Sequence, residues 1–150
     1  MDLIAKIFYN LTEVHPLHTL IVHFPVALIG AALFFILLAL WRRSDTLEKV
    51  AFANMALASV SSLVAGITGM MDNLKIYDGT APNASYKIVL AVVLLLVTGI
   101  TTLVRWRNPE LFHAGPVQKW TYVAMYFVAF ILVSVLGFLG GVIIYGFEAP

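Results

Sequence analysis

The chain has 150 residues, 61% of them hydrophobic and 11% charged, with a mean hydropathy of +0.95 and a formal net charge of +1. Soluble domains carry about 25% charged residues, so this composition excludes a soluble protein, and with no basic run longer than Arg42-Arg43 the balance of charge gives no basis for nucleic-acid binding. The absence of cysteine excludes disulfides, thiolate-held clusters and c-type haem, and leaves nitrogen, oxygen or methionine sulfur to hold any cofactor.

In chain order, the opening MDLIAKIFYNLTEV places apolar residues at 3, 4, 7, 8 and 11, one helical face, and is expected to form a short interfacial helix. A cleaved signal peptide is not expected, because the first long apolar stretch exceeds an h-region and no basic n-region precedes it. Four spans follow, at residues 17–41, 47–71, 84–106 and 117–146, closed in turn by RRSD, DNLKIYDGTAPN, RWRNPE and the C-terminal residues. Each is long enough to cross about 30 Å of hydrocarbon at about 1.5 Å per residue. The expected fold is therefore all-α: an integral membrane four-helix bundle preceded by a short interfacial helix, making one transmembrane domain over residues 1–150.

With four spans, the 41–49 and 105–119 connections share a side. They carry Arg42, Arg43, Lys49, Arg105, Arg107 and Lys119, against Lys6, Lys75 and Lys87 on the other side. The positive-inside rule then places both termini outside the cytoplasm, in a bacterial inner membrane. Trp41, Trp106 and Trp120 fall on the basic side as interfacial anchors, while Asp2, Glu13, Asp72, Asp78 and Glu148 fall on the outer one. Helices in lipid associate through small residues. The second span offers Ala58, Ser62 and Gly66, with Ser61, Ala65 and Gly69 beside them, and the fourth offers Gly137 and Gly141. Both are expected contact faces, with packing inside one chain favoured over packing between chains.

The stretch VHPLHTLIVHFPVAL, residues 14–28, concentrates histidine and proline where both are costly. Pro16 suits a first helical turn, with His15 as its cap. Pro25 leaves the Ile21 carbonyl without its usual donor and is expected to bend the helix. His23, about 10 Å below the helix start at about 1.5 Å per residue, calls for a partner, and it stands about 140° around the helix from His18. The same end collects Gly69, Met70 and Asp72 from the second span, Lys87 from the third, and Gly140, Gly141 and Tyr145 from the fourth. An Asp72–Lys87 salt bridge is the expected pairing. The histidines have two readings, ties to freed carbonyls or ligands, while His113 in the NPELFHAGP loop is expected to face solvent. Ser61, Ser62, Thr98, Thr101 and Thr102 lack an activating acid or histidine at their depth and are expected to bond back to helix carbonyls. No triad, phosphate loop or HExxH motif is present, so independent catalysis is not expected.

HPLHTLIVHFPVALIGA, AGITGMMD, YKIVLAVVLLLVTGI and LGFLGGVIIYG, in that order, resemble the motifs of the bacterial membrane family catalogued as domain of unknown function 2231. The resemblance runs from His15 to Gly146. It implies a four-span inner-membrane module found beside or fused to cytochrome-type and other redox domains, with His15, Pro16, His18, His23, Pro25, Gly69, Asp72, Gly140, Gly141 and Tyr145 as motif positions. Three functions follow as expectations. The first is an accessory or electron-transfer subunit of a respiratory or photosynthetic redox complex, partnered by other membrane subunits. Its outer-leaflet site of His15, His18, His23, Met70 and Tyr145 would take haem b, quinone or a metal, with His23 and Met70 as one candidate axial pair. The polar cluster beside it would comprise Pro25, Gly69, Asp72, Lys87, Gly140 and Gly141. The second is a structural or assembly subunit without cofactor. The third, a transporter or channel, would use Pro25 and the glycine faces as a broken-helix site.

Overall fold

The structure is a computed structural model that describes residues 2–9 and 17–145, with residues 7, 8 and 143–145 as backbone alone. His15 and Pro16, and the cap expected of them, lie outside the described residues. The opening forms a short helix, α1 (Leu3–Tyr9). The first span is divided into α2 (Leu17–Ile21) and α3 (His23–Arg42), and α4 (Asp45–Tyr77), α5 (Ala84–Arg107) and α6 (Pro116–Tyr145) follow. The helices Leu17–Arg42, Asp45–Tyr77, Ala84–Arg107 and Pro116–Val142 are each long and apolar enough to cross a membrane. No strand occurs among the described residues.

The division at Val22 lies one turn before Pro25, where the missing proline N–H frees the Ile21 carbonyl and the ring crowds it. The chain continues through Val22 N–H to His18 O at 2.9 Å and Val26 N–H to Val22 O at 3.3 Å. Pro25 itself is buried. The second span runs six residues beyond Met71, because Asp72 and Lys75 do not stop a helix whose backbone bonds remain intact. It ends where Asp78 (φ 48°) and Gly79 (φ 79°) turn left-handed and the Gly79 N–H returns to Asn73 O at 2.9 Å.

The helices pack in a ring, α3 on α4, α4 on α5, α5 on α6 and α6 back on α3, with α2 laid against α4. Short connections make the neighbours antiparallel. One end of the bundle, the basic end, therefore holds the α3–α4 and α5–α6 connections, and the far end holds the α4–α5 connection and α2. Trp41, Trp106 and Trp120 all fall at the basic end, exposed, as interfacial anchors require.

The buried positions explain why the ring closes. On α3 they are Pro25, Ile29, Ala32, Ile36 and Ala39, and on α4 Glu48, Ala51, Met55, Ala58, Ser62 and Ala65. Both runs alternate steps of three and four, the seam of left-handed helix packing. Such a seam keeps facing its neighbour, whereas successive four-residue steps drift by about 40° each. Gly66 consequently leaves the seam that Ala58 and Ser62 occupy, and a Cβ there would meet nothing within 4 Å. The α6 pair Gly137 and Gly141 has the same open surroundings. Among the described residues these glycines form no intrachain contact face; Tyr122, Val123, Tyr126, Ala129 and Val133 fill that role.

At the basic end, Ser44 caps α4 with its Oγ facing Leu47 N–H at 3.5 Å. The 108–115 loop turns Leu111 and Phe112 into the core and leaves His113 exposed, as expected. His113 Nε2 nevertheless meets Asp45 Oδ1 at 2.8 Å, with about half of each side chain or more exposed. Exposed pairs contribute about 0–1 kcal/mol. His113→Ala is therefore expected to move the melting temperature of the detergent-solubilised protein by no more than about 4 °C; a larger fall would mean that the loop is held chiefly by this contact.

Candidate functional site

Two polar constellations lie at opposite ends of the bundle. At the far end, His18 of α2 lies against α4. The glycine at position 69 permits this: a Cβ there would stand 2.9 Å from His18 Cε1 and 3.0 Å from Nδ1. The ring sits where only a hydrogen leaves room. His18 Nδ1 is 2.9 Å from the Ala65 carbonyl oxygen, and because a carbonyl only accepts, Nδ1 carries a proton, which in the neutral ring leaves the lone pair on Nε2. Thr68 Oγ1 lies 3.5 Å from the same nitrogen while its hydroxyl is within reach of the Val64 and Ala65 carbonyls. One turn along, Asp72 Oδ2 accepts the His18 backbone N–H at 3.2 Å, one of the donors left over at the start of a helix. His18, Gly69 and Asp72 are thus brought together, as the sequence suggested.

The other residues expected there part company. Lys87 lies within electrostatic range of His18, yet the ion pairs among the described residues are Arg105–Glu48 and His113–Asp45. The Asp72–Lys87 bridge is not formed, since Asp72 points to the α2 backbone. His23 is exposed at the start of α3 and has no polar partner among the described residues; its lateral displacement from His18 turns it out of the bundle. Met70 is 45% exposed, one residue and about 100° away from the face that meets His18. Gly140 and Gly141 touch no neighbouring helix closely enough for a Cβ to meet it. His15 and the side chain of Tyr145 lie outside the described residues.

These positions bear on a cofactor. A haem needs axial ligands from facing helices, and of the proposed ligands with described side chains, His18, His23 and Met70, His18 is the one that turns inward. Among the described residues no group of three or more histidines, aspartates and glutamates could hold a metal ion. The described His23–Met70 pair does not fit an axially ligated haem, because His23 faces outward and Met70 lies off the His18 face.

At the basic end lies a second constellation, which sequence reasoning did not single out. Glu48, in the first turn of α4, receives Arg105 of α5 through Nε to Oε1 and Nη2 to Oε2, both at 2.7 Å. The pair is shielded, with side-chain exposures of 2% and 9%. Tyr122 of α6 donates to Glu48 Oε1 at 2.9 Å and lies 2.6 Å, hydroxyl to hydroxyl, from Tyr126, their rings edge to face at 5.1 Å. The Arg105 guanidinium stands 5.4 Å over the Phe52 ring. One carboxylate thereby joins α4, α5 and α6, with bidentate and hydroxyl bonds replacing the water that the charges lost. The signal available beforehand was spacing. Glu48 continues the three-four seam of Ala51 and Met55 back to the helix start, Arg105 stands four residues after Thr101, and Tyr122 and Tyr126 are four apart.

The hydroxyls inside the spans behave largely as expected. Ser61, Thr98 and Thr101 donate to carbonyls of their own helices, whereas the buried Ser62 Oγ and Thr102 Oγ1 have no partner among the described residues.

The family described as a predicted membrane protein, DUF2231, matches residues 14–149. The chain belongs to this family. No curated protein and no solved structure matches it. Within this DUF2231 chain the HPLH motif has a definite structural use: its second histidine reads the glycine of AGITGMMD, and the aspartate of the same motif reads that histidine's backbone.

Proposed function

We propose that this DUF2231 protein is an accessory subunit of a membrane redox complex, itself without catalytic activity, whose histidine end holds the first span to the second rather than carrying a cofactor. The observation that carries the reading is the His18 ring, committed through Nδ1 to the Ala65 carbonyl and wedged on Gly69. The redox setting rests on the family resemblance drawn from the motifs. The Lys/Arg asymmetry supports a bacterial inner membrane with both termini on the periplasmic side. One observation favours a second reading: donation from Nδ1 leaves Nε2 as the ligating form of imidazole, so any metal or haem would be held by His18 and a residue supplied from elsewhere.

Absorption spectra of the purified protein, oxidised and reduced, separate the two. The accessory reading expects no α and β bands, together with fixed-ratio co-purification of redox subunits in mild detergent. Sharp bands that vanish in His18→Ala would overturn it in favour of the ligand reading. Purification as a lone chain would remove the accessory role.

A further inference from the structure

We propose that the cleft between α4 and α5 at the basic end is a binding site for one anionic phospholipid. The cleft, of about 440 Å³, is lined by Phe52 and Ala56 of α4, Thr102, Arg105 and Trp106 of α5, and Pro109 just beyond. That volume falls within the range of ligand sites, about 300–1,000 Å³. The inference is independent of the proposed function.

Position determines the kind of occupant. Both walls belong to helices long and apolar enough to cross a membrane, so the apolar part of the cleft, Phe52 and Ala56, opens toward hydrocarbon and takes an acyl chain. Its upper part is where basic and indole groups gather. Trp106 is 73% exposed, at the level where indoles meet headgroups. Arg105 spends Nε and Nη2 on Glu48, and its Nη1 has no hydrogen bond among the described residues. Arg107, next after Trp106, is exposed and has no carboxylate partner among them.

Charge decides the headgroup. The basic end carries Arg42, Arg43, Lys49, Arg105, Arg107 and Lys119 against Asp45, Glu48 and Glu110, and its inward-facing carboxylate, Glu48, is already neutralised by Arg105. Arg107, the cation without a carboxylate partner among the described residues beside the cleft, favours an anionic headgroup over a zwitterionic one. Thr102 adds a second indication. Thr98 and Thr101 satisfy their hydroxyls on the helix backbone, while Thr102 Oγ1 is buried without a partner among the described residues. It lies about 5–6 Å below Arg105 and Trp106 at about 1.5 Å per residue, the side of a headgroup on which the glycerol ester carbonyls follow the phosphate.

Native mass spectrometry after reconstitution in nanodiscs of equimolar phosphatidylglycerol and phosphatidylcholine tests the site. One retained phospholipid per chain is expected, with phosphatidylglycerol favoured about fivefold. Ala56→Phe, which fills the cleft from a position off the buried seam, should abolish retention while circular dichroism and melting temperature stay unchanged. Arg107→Gln should keep a lipid but bring the headgroup ratio near one, which keeps the test decisive should Ala56→Phe not fold. Retention that is blind to headgroup in the wild type, or a phosphatidylglycerol preference that survives Arg107→Gln, overturns the proposal. So does full retention in a folded Ala56→Phe.

Discussion

Arg105→Leu is expected to lower the stability of the bundle by about 3–5 kcal/mol, the cost of leaving a buried charge without its partner. Glu48 is almost wholly enclosed and takes both of its short charge-assisted bonds from this one guanidinium. Leucine would leave it with the Tyr122 hydroxyl alone. The sign of the double variant separates an ion-pair effect from lost packing. Glu48→Leu combined with Arg105→Leu removes both charges together, and a buried pair replaced by apolar groups is often neutral or better, so much of the loss should return. Reversible unfolding in mixed micelles, followed by circular dichroism, provides the measurement. If the double variant is as unstable as the sum of the two single ones, the charges are not coupled and the network is misjudged.

The second large effect is expected at the other end of the bundle. Gly69→Leu cannot coexist with the present position of His18, since even a Cβ would approach the ring to 2.9 Å and longer side chains would occupy it. The ring must leave, the bond to the Ala65 carbonyl breaks, and α2 lifts from α4. Overpacking of this kind costs about 1–3 kcal/mol. Gly66→Leu, three residues away in open surroundings, is the control and should be near neutral. Hydrogen exchange gives the more specific reading: faster exchange confined to residues 17–22 in Gly69→Leu, with α5 and α6 unchanged. Unaltered protection of α2 would show that His18 does not anchor it.

The two sites differ in how far they were legible beforehand. His18, Gly69 and Asp72 stand in unusual local company, a histidine before an apolar run and a glycine and acid at the end of one, and their convergence follows from the parity of four antiparallel spans. What local reading missed was the choice among neighbours. Asp72 has a lysine and a backbone N–H at the same depth, and only the placement of α2 gives it to the N–H. The Glu48–Arg105 pair was hidden for a different reason. Charges at the ends of apolar segments read as interfacial, and counting Arg105 among the connection charges suited the orientation argument while concealing that it turns inward.

Hydrophobic length and the distribution of basic residues and tryptophans determined from sequence alone that this is a four-span helical bundle with unlike ends, because the cost of burying charge in hydrocarbon acts on each segment separately. Tertiary structure alone decided which small residues meet. The three-four seam selects Ala58, Ser62, Ala65 and Gly69 and leaves Gly66, Gly137 and Gly141 open, because a few tens of degrees of rotation about a helix axis move a residue from contact to lipid. It also decided which charges pair, since an ion pair depends on a few ångströms between side chains from helices more than fifty residues apart, a distance that no single segment encodes.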